Sequence, residues 1–191
     1  VKRVGIFGGS FDPVHTGHVE AVNSFLDSGL IDEVWILLTP TPPHKTDQKQ
    51  AGFSHRLKML QLVFSDHDNL QISDLEKDLP TPSYTLQTIR HLKEEYPENL
   101  FFLCIGEDSL ESFHKWYKYN EILDECTLLV VNRPGFDHSR VDSKILENTI
   151  FVDHQPLDIS STQIREGECK NYSIPDAVRS YIQDHNLYQT D

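Results

Sequence analysis

Short apolar runs alternate with amphipathic stretches along almost all of this 191-residue chain, and that alternation restricts its fold more than any other feature. Residues 4–7, 33–38, 100–105, 128–131 and 150–152 are short, apolar and bounded by Gly, Pro, Asn or Asp, as strands buried on both faces are. Between them, residues 17–27, 54–64, 83–96 and 175–185 carry apolar side chains at helical spacing. Ser54 and Ser83 suit N-caps, and Pro175 suits a first helical turn. Strands separated by helices pair in parallel. The expectation is therefore an α/β, Rossmann-like doubly wound, mostly parallel sheet with helices on both faces, its ligands lying outside the carboxyl ends of the strands. No repeat, low-complexity tract or linker divides the chain, so residues 1–191 read as a single domain whose part from about residue 158 is helical. Residues 39–52, rich in Pro, Lys and Gln, read as the most mobile loop.

Charge and cysteine usage exclude several classes. With 17 Lys+Arg against 30 Asp+Glu the net charge is −13. Nucleic acids and anionic membranes are held mainly through Lys and Arg on phosphates, so this balance argues against both as partners. Hydrophobic residues make up 38% of the chain, enough for a core and too many for a disordered acidic tail. Cys104, Cys126 and Cys169 are odd in number and form no C-x-x-C, so neither a disulfide framework nor a thiolate metal site is expected. No stretch approaches the roughly 20 apolar residues of a membrane span, and the glycines after Phe7 come too soon for a signal peptide. A cytoplasmic protein is the expectation, and a homo-oligomer is compatible with it.

The string Gly8-Gly9-Ser10-Phe11-Asp12-Pro13-Val14-His15-Thr16-Gly17-His18 joins the first strand to the first helix, the place where a doubly wound fold binds phosphates. It is neither G-x-G-x-x-G nor a P-loop. It offers instead two glycines for close backbone approach, the Ser10 hydroxyl, and two imidazoles three residues apart, which share one face at the positive end of the helix. An isolated H-x-x-H is equally the pattern of cap or core histidines, or of two zinc ligands awaiting others.

In its strand-turn-helix setting the whole string resembles the H-x-G-H signature of the nucleotidylyltransferase superfamily, whose α/β fold is related to class I aminoacyl-tRNA synthetases. Further segments follow in order: Thr39-Pro40-Thr41-Pro42-Pro43-His44-Lys45, Pro82-Ser83-Tyr84-Thr85, Ile105-Gly106-Glu107-Asp108-Ser109, Asn132-Arg133-Pro134-Gly135 and Asp158-Ile159-Ser160-Ser161-Thr162-Gln163-Ile164-Arg165. Together they resemble the motifs of the bacterial nicotinate mononucleotide adenylyltransferase family over residues 5–165. Two positions depart from it. Ser10 stands where Thr is common, which keeps the hydroxyl, and Glu107 stands where a small residue is common.

The resemblance implies a reaction between ATP, accompanied by Mg2+, and nicotinate mononucleotide, giving nicotinate adenine dinucleotide and pyrophosphate. It assigns catalysis to His15, His18, Arg165 and Ser10, which would stabilise the transition state. ATP would also meet Gly8, Gly9, Phe11, Gly106, Arg133, Ile159, Ser161 and Thr162. The mononucleotide would meet Lys45, Thr85, Asp108, Trp116 and Tyr117, with Trp116 covering the pyridinium ring and the Thr85 and Tyr117 backbones holding the carboxylate. Arg56 and Lys58 would keep this side of the site basic. No carboxylate cage for a metal is visible.

Taken singly, each element has a plainer role. Ser161 or Thr162 suits an N-cap, Asp108 a cap of the turn after its strand, Trp116 a core position, Arg133 an offset to nearby acids, and Lys45 a solvated loop. Two rival readings remain open. One is another H-x-G-H enzyme acting on nicotinamide mononucleotide or phosphopantetheine; the other is a noncatalytic nucleotide-binding module.

Overall fold

Six strands, β1 (Arg3–Gly9), β2 (Glu33–Leu38), β3 (Leu70–Ser73), β4 (Leu100–Gly106), β5 (Thr127–Asn132) and β6 (Thr149–Asp153), form one sheet in the order β3-β2-β1-β4-β5-β6. Every pairing is parallel. This is the computed structural model of the chain, and it describes residues 1–40, 50–80, 84–132, 135–168, 170 and 172–189.

Side-chain alternation divides the core into two layers. Val4, Ile6, Trp35, Leu37, Phe101, Leu103, Leu128 and Val130 pack against α3 (Thr85–Glu95), α4 (Glu107–Ser112), α5 (Tyr119–Glu125) and α6 (Ser143–Glu147). Val34, Ile36, Leu38, Cys104, Leu129 and Val131 pack against α1 (Thr16–Asp27), α2 (Phe53–Phe64), α7 (Ser161–Arg165) and α8 (Asp176–Asp184). Strands apolar on both faces are what a sheet covered on both sides requires. Gly5 in β1 marks the tightest spot: a Cβ there would stand 2.6 Å from Ile31 Cδ1 and 2.7 Å from Cys104 Sγ. Cys104 and Cys126 are free and buried, and burial pushes the Cys126 thiol up to about 12.

The register opens the sheet at one place. β1 pairs with β4 only from Arg3↔Leu100 to Ile6↔Leu103, while it stays paired with β2 as far as Gly9↔Leu38. β4 stays with β5 as far as Gly106↔Val131. Beyond Ile6 the carboxyl ends of β1 and β4 therefore part, where the chain order reverses, and a crevice forms between them.

Several local expectations are corrected. Strand β3 has no counterpart among the expected strands; it is an edge strand bonded only to β2, with two apolar residues in four and polar residues before it. Gly52, not Ser54, is the N-cap of α2, and Tyr84 is the N-cap of α3, while Ser83 lies outside the described residues. Ser160 caps α7, so Ser161 and Thr162 are its first two residues. No helix among the described residues is long and apolar enough to cross a membrane.

Candidate active site

A cleft of about 170 Å³ occupies the crevice, outside the carboxyl ends of the strands where ligands of such sheets bind. Gly8 and Gly9 of β1, Thr39 after β2 and Ile105 of β4 form its sheet side; Thr85, Thr88 and Ile89 of α3, Trp116 and Glu76 close it. A side chain at Gly8 would meet nothing nearer than the Leu37 carbonyl at 3.9 Å, so glycine keeps the backbone open there.

The two histidines meet at the start of α1. His15 is its extended N-cap residue and His18 its third helical residue, and their rings stack with centroids 3.7 Å apart. The His15 backbone N–H donates to His18 Nδ1 at 3.1 Å. With Nδ1 accepting, the neutral His18 ring carries its proton on Nε2 and can only donate there. Gly17 is what lets the pair close. A Cβ on it would stand 2.8 Å from His15 Cε1 and 2.9 Å from Nδ1, so the glycine of H-x-G-H is the seat of the first imidazole.

Burial holds His15 down at about 4, and burial together with the neighbouring His15 holds His18 well below the ordinary histidine range. Both rings are thus neutral at pH 7 in the free protein. His15 Nδ1 is buried and without a hydrogen-bond partner. Phe11, itself buried with φ of 45°, sets its ring edge-on to His18 at 4.9 Å. Its side chain packs the histidine rather than lining the cleft.

The loop carrying these groups is braced by residues far away in sequence. Asp12, 3% exposed, accepts from the Ala51 N–H at 3.0 Å and from the Tyr188 hydroxyl at 2.5 Å through the same oxygen, Oδ1. Its carbonyl accepts from Arg165 Nη1 at 2.8 Å, and the Pro13 carbonyl accepts from the Ser161 hydroxyl at 2.9 Å. Helix α7 is thereby fastened to the loop, with Arg165 brought beside it. Arg165 also donates to Thr162 Oγ1 at 3.3 Å. Ser10, exposed, offers its hydroxyl to solvent while its carbonyl accepts from Arg56 Nη1 at 2.8 Å.

Arg56 corrects the expectation of a basic surface. It is 1% exposed and donates to the carbonyls of Ala51, Ser10 and Thr39, so it fixes the ends of two loops from below; Lys58 is exposed on the same helix.

On the α3 side, Thr85 opens the helix, so its N–H has no partner within the helix. Trp116, partly exposed, packs on Phe113 at 5.0 Å and borders both the main cleft and a shallower recess with Tyr84, Thr85 and Tyr117. Tyr117 is exposed and stacks on Tyr84 at 4.3 Å. Asp108 lies elsewhere. It borders a recess with Asp158, Ile159, Ser160 and Gln163, beyond Gly106, whose Cβ position is open. Glu107, 1% exposed, turns inward to His138 Nε2 at 3.4 Å, which accounts for the acidic residue at a usually small position. Lys45 and Arg133 lie outside the described residues. Among the described residues no three His, Cys, Asp or Glu side chains converge as metal ligands would.

Asp12, Glu76 and Tyr188 also belong to this region, although their roles are not readable from the motifs. Glu76 looks in sequence like one more charge between Asp74 and Asp78, and Asp12 meets Tyr188 across 176 residues.

Residues 6–167 match the cytidylyltransferase-like family. A Bacillus subtilis protein named nicotinate-nucleotide adenylyltransferase is 36% identical over 194 aligned residues, covering 100% of both chains. A Bacillus pumilus protein named probable nicotinate-nucleotide adenylyltransferase is also 36% identical with 100% of both chains covered. In fold, the chain is similar to the Plasmodium falciparum nicotinic acid mononucleotide adenylyltransferase complexed with NaAD, at a TM-score of 0.80 and 22% identity over 98% of each chain.

Proposed function

The chain belongs to the cytidylyltransferase-like family, and within it to the nicotinate-nucleotide adenylyltransferases, and from that premise we infer that it joins ATP and nicotinate mononucleotide into nicotinate adenine dinucleotide, a step of NAD biosynthesis. The observation that carries this reading is the stacked, uncharged His15–His18 pair at the crevice, seated on Gly17 and flanked by Arg165.

The chemistry asks for placement and charge stabilisation. An oxygen of the mononucleotide phosphate, already ionised, attacks the α-phosphorus of ATP; the bond from that phosphorus to the bridging oxygen breaks, and pyrophosphate leaves with its electrons. No protein nucleophile and no strong base are needed. His18 donates from Nε2 to the α-phosphoryl oxygens as their charge grows, and His15 stands against it. The incoming polyanion favours the charged form of His15, whose buried Nδ1 has no hydrogen-bond partner in the free protein, while His18 stays neutral with Nδ1 accepting. Arg165, held by the Asp12 carbonyl, turns its remaining donors to the β- and γ-phosphates, with the Ser10 hydroxyl and the Gly8 and Gly9 backbone beside them. Lys45 and Arg133 are assigned to phosphates on resemblance alone.

Trp116 covers the pyridinium face, and the Thr85 and Tyr117 N–H groups hold the nicotinate carboxylate. Gly106, Ile159 and Thr162 take the adenosine side, and Asp108, which the resemblance gave to the mononucleotide, is moved to that side to accept from ribose hydroxyls; the recess it shares with Ile159 supports this change. Ser161, already donating to Pro13, acts by fastening α7. Mg2+ would accompany ATP and offset the charge on its phosphates. The net charge of −13 supports leaving nucleic acid and membrane out of its partners.

The test is pyrophosphate release from ATP with nicotinate mononucleotide, nicotinamide mononucleotide or phosphopantetheine. Release is expected with the pyridine substrates, the acid foremost. Release with phosphopantetheine alone would overturn the substrate, and release with none would overturn the activity.

A further inference from the structure

The cleft between the sheet and α3 contains a carboxylate to which the transfer reaction gives no task. Glu76, in the turn after β3, is 7% exposed and lines the cleft. Its Oε1 accepts from the Thr88 hydroxyl at 3.1 Å, which fixes the plane of the carboxyl group. Its Oε2 is buried with no hydrogen-bond partner. No cation neutralises it among the described residues; the neighbouring Lys77 sends its ammonium over the Phe53 ring instead, at 5.6 Å. Burial raises the Glu76 pKa, and the hydrogen bond from Thr88 opposes that rise. An acceptor left bare in an apolar recess is costly, and in a cleft open to substrate a bound partner is one way to offset that cost.

The rest of the cleft says what that partner is. Its floor is aliphatic, with Ile6, Leu103 and Ile105, and its rim carries Trp116. It thus combines a fixed negative charge, an aromatic face and apolar walls. A flat organic cation fits all three: it gains Coulomb attraction from the carboxylate, quadrupole attraction from the indole, and, being weakly hydrated, loses little on entering.

We propose that Glu76 is the counter-ion of the substrate's pyridinium ring, facing its positive charge with Oε2 while Trp116 covers the ring. The proposal rests on the assignment of this cleft to the pyridine side of the substrate. It makes the site selective for the oxidised ring, because the 1,4-dihydro ring has nearly the same outline and the same phosphate, ribose and carboxylate, but no charge.

The experiment compares kcat/KM for nicotinate mononucleotide and its 1,4-dihydro form, each with saturating ATP, by pyrophosphate release. The wild-type protein is expected to prefer the oxidised ring by about 10-fold or more, on the scale of one partly desolvated ion pair. Glu76→Gln keeps the acceptor for Thr88 and removes the charge. It should lower that preference at least about 5-fold, through the oxidised substrate alone, leaving what Trp116 contributes. Glu76→Asp, which keeps the charge, should retain a preference above that of Glu76→Gln. Equal use of both ring forms by the wild type would overturn the proposal without recourse to any variant. So would an unaltered preference in Glu76→Gln, or a parallel loss on both ring forms. Failure of the wild type to release pyrophosphate with either form would instead overturn the activity itself.

Discussion

Gly17→Ala separates the placement of the histidine pair from the stability of the fold. Gly17 lies inside the first turn of α1 and has no positive φ, so the backbone gives no reason for a glycine there. Helix propensity alone would favour alanine by about 1 kcal/mol. The new Cβ, however, would stand 2.8 Å from His15 Cε1 and 2.9 Å from Nδ1. Restoring ordinary contact requires the ring to retreat by at least about 0.5 Å. His15 is stacked on His18 at 3.7 Å, so the retreat disturbs both donors at once. The ring is the end of a side chain, and it can turn without moving the helix. The propensity gain and the local repacking then nearly cancel, leaving the melting temperature within about 4 °C of wild type. Catalysis suffers because misplacing reacting groups by a fraction of an ångström to 1 Å costs up to about 10²-fold. Steady-state pyrophosphate release and thermal melting on one preparation should show kcat down by about 30- to 100-fold, with KM for ATP changed only a few-fold. Unaltered kcat would refute the reading of Gly17 as the seat of His15; a collapse in melting temperature would refute the claim that the ring yields alone.

The remaining expectations concern the same loop. Tyr188→Phe removes the hydroxyl that donates to the buried Asp12 carboxylate; it should cost about 1–3 kcal/mol in urea denaturation and lower kcat, because Asp12 also carries Arg165, and wild-type values for both would show the contact to be idle. Acidification should destabilise the protein through His15, whose folded pKa of about 4 lies below the ordinary 6.5. The folded state binds the proton less well than the unfolded chain, so the stability of the neutral ring is present above about pH 6.5 and is lost as pH falls toward 4; between pH 7 and 5 the loss is about 2 kcal/mol. Urea midpoints at the two pH values for wild type and His15→Asn measure it, and equal pH dependence in both proteins would contradict it.

Much of the architecture is legible in the sequence because it is written in local chemistry. The five longer strands announce themselves as apolar runs, and β2 is readable from Glu33 to Leu38 because nonpolar residues fill it without a break after the first position. β3 escapes such a reading because an edge strand with one neighbour needs little apolar character; Leu70 and Ile72 alone pack against the core, and Gln71 and Ser73 read as loop. Caps shift by one or two residues where a glycine or tyrosine, rather than the nearest serine, takes the position. In the site, His15 and His18 are legible through their spacing, since three residues along a helix is a contact. Arg56 is not: its charge suggests solvent, whereas its five donors make it suited to hold three carbonyls beneath two loops. Asp12, Glu76 and Tyr188 carry no local signal, because each acquires its role only when the sheet brings distant segments together.

The core of the mechanism is a single displacement at the α-phosphorus between two bound substrates, with the histidines as donors. His18 Nδ1 is occupied by a backbone N–H and its neutral Nε2 carries the proton, so this ring presents no lone pair to attack phosphorus. Running the reaction with ATP bearing a chiral phosphorothioate at the α-position tests this most directly. One in-line displacement inverts the configuration at phosphorus, and inversion in the dinucleotide product is the expected result. Retention would require two successive displacements through an adenylylated protein, and would contradict direct transfer assisted by the His15–His18 pair.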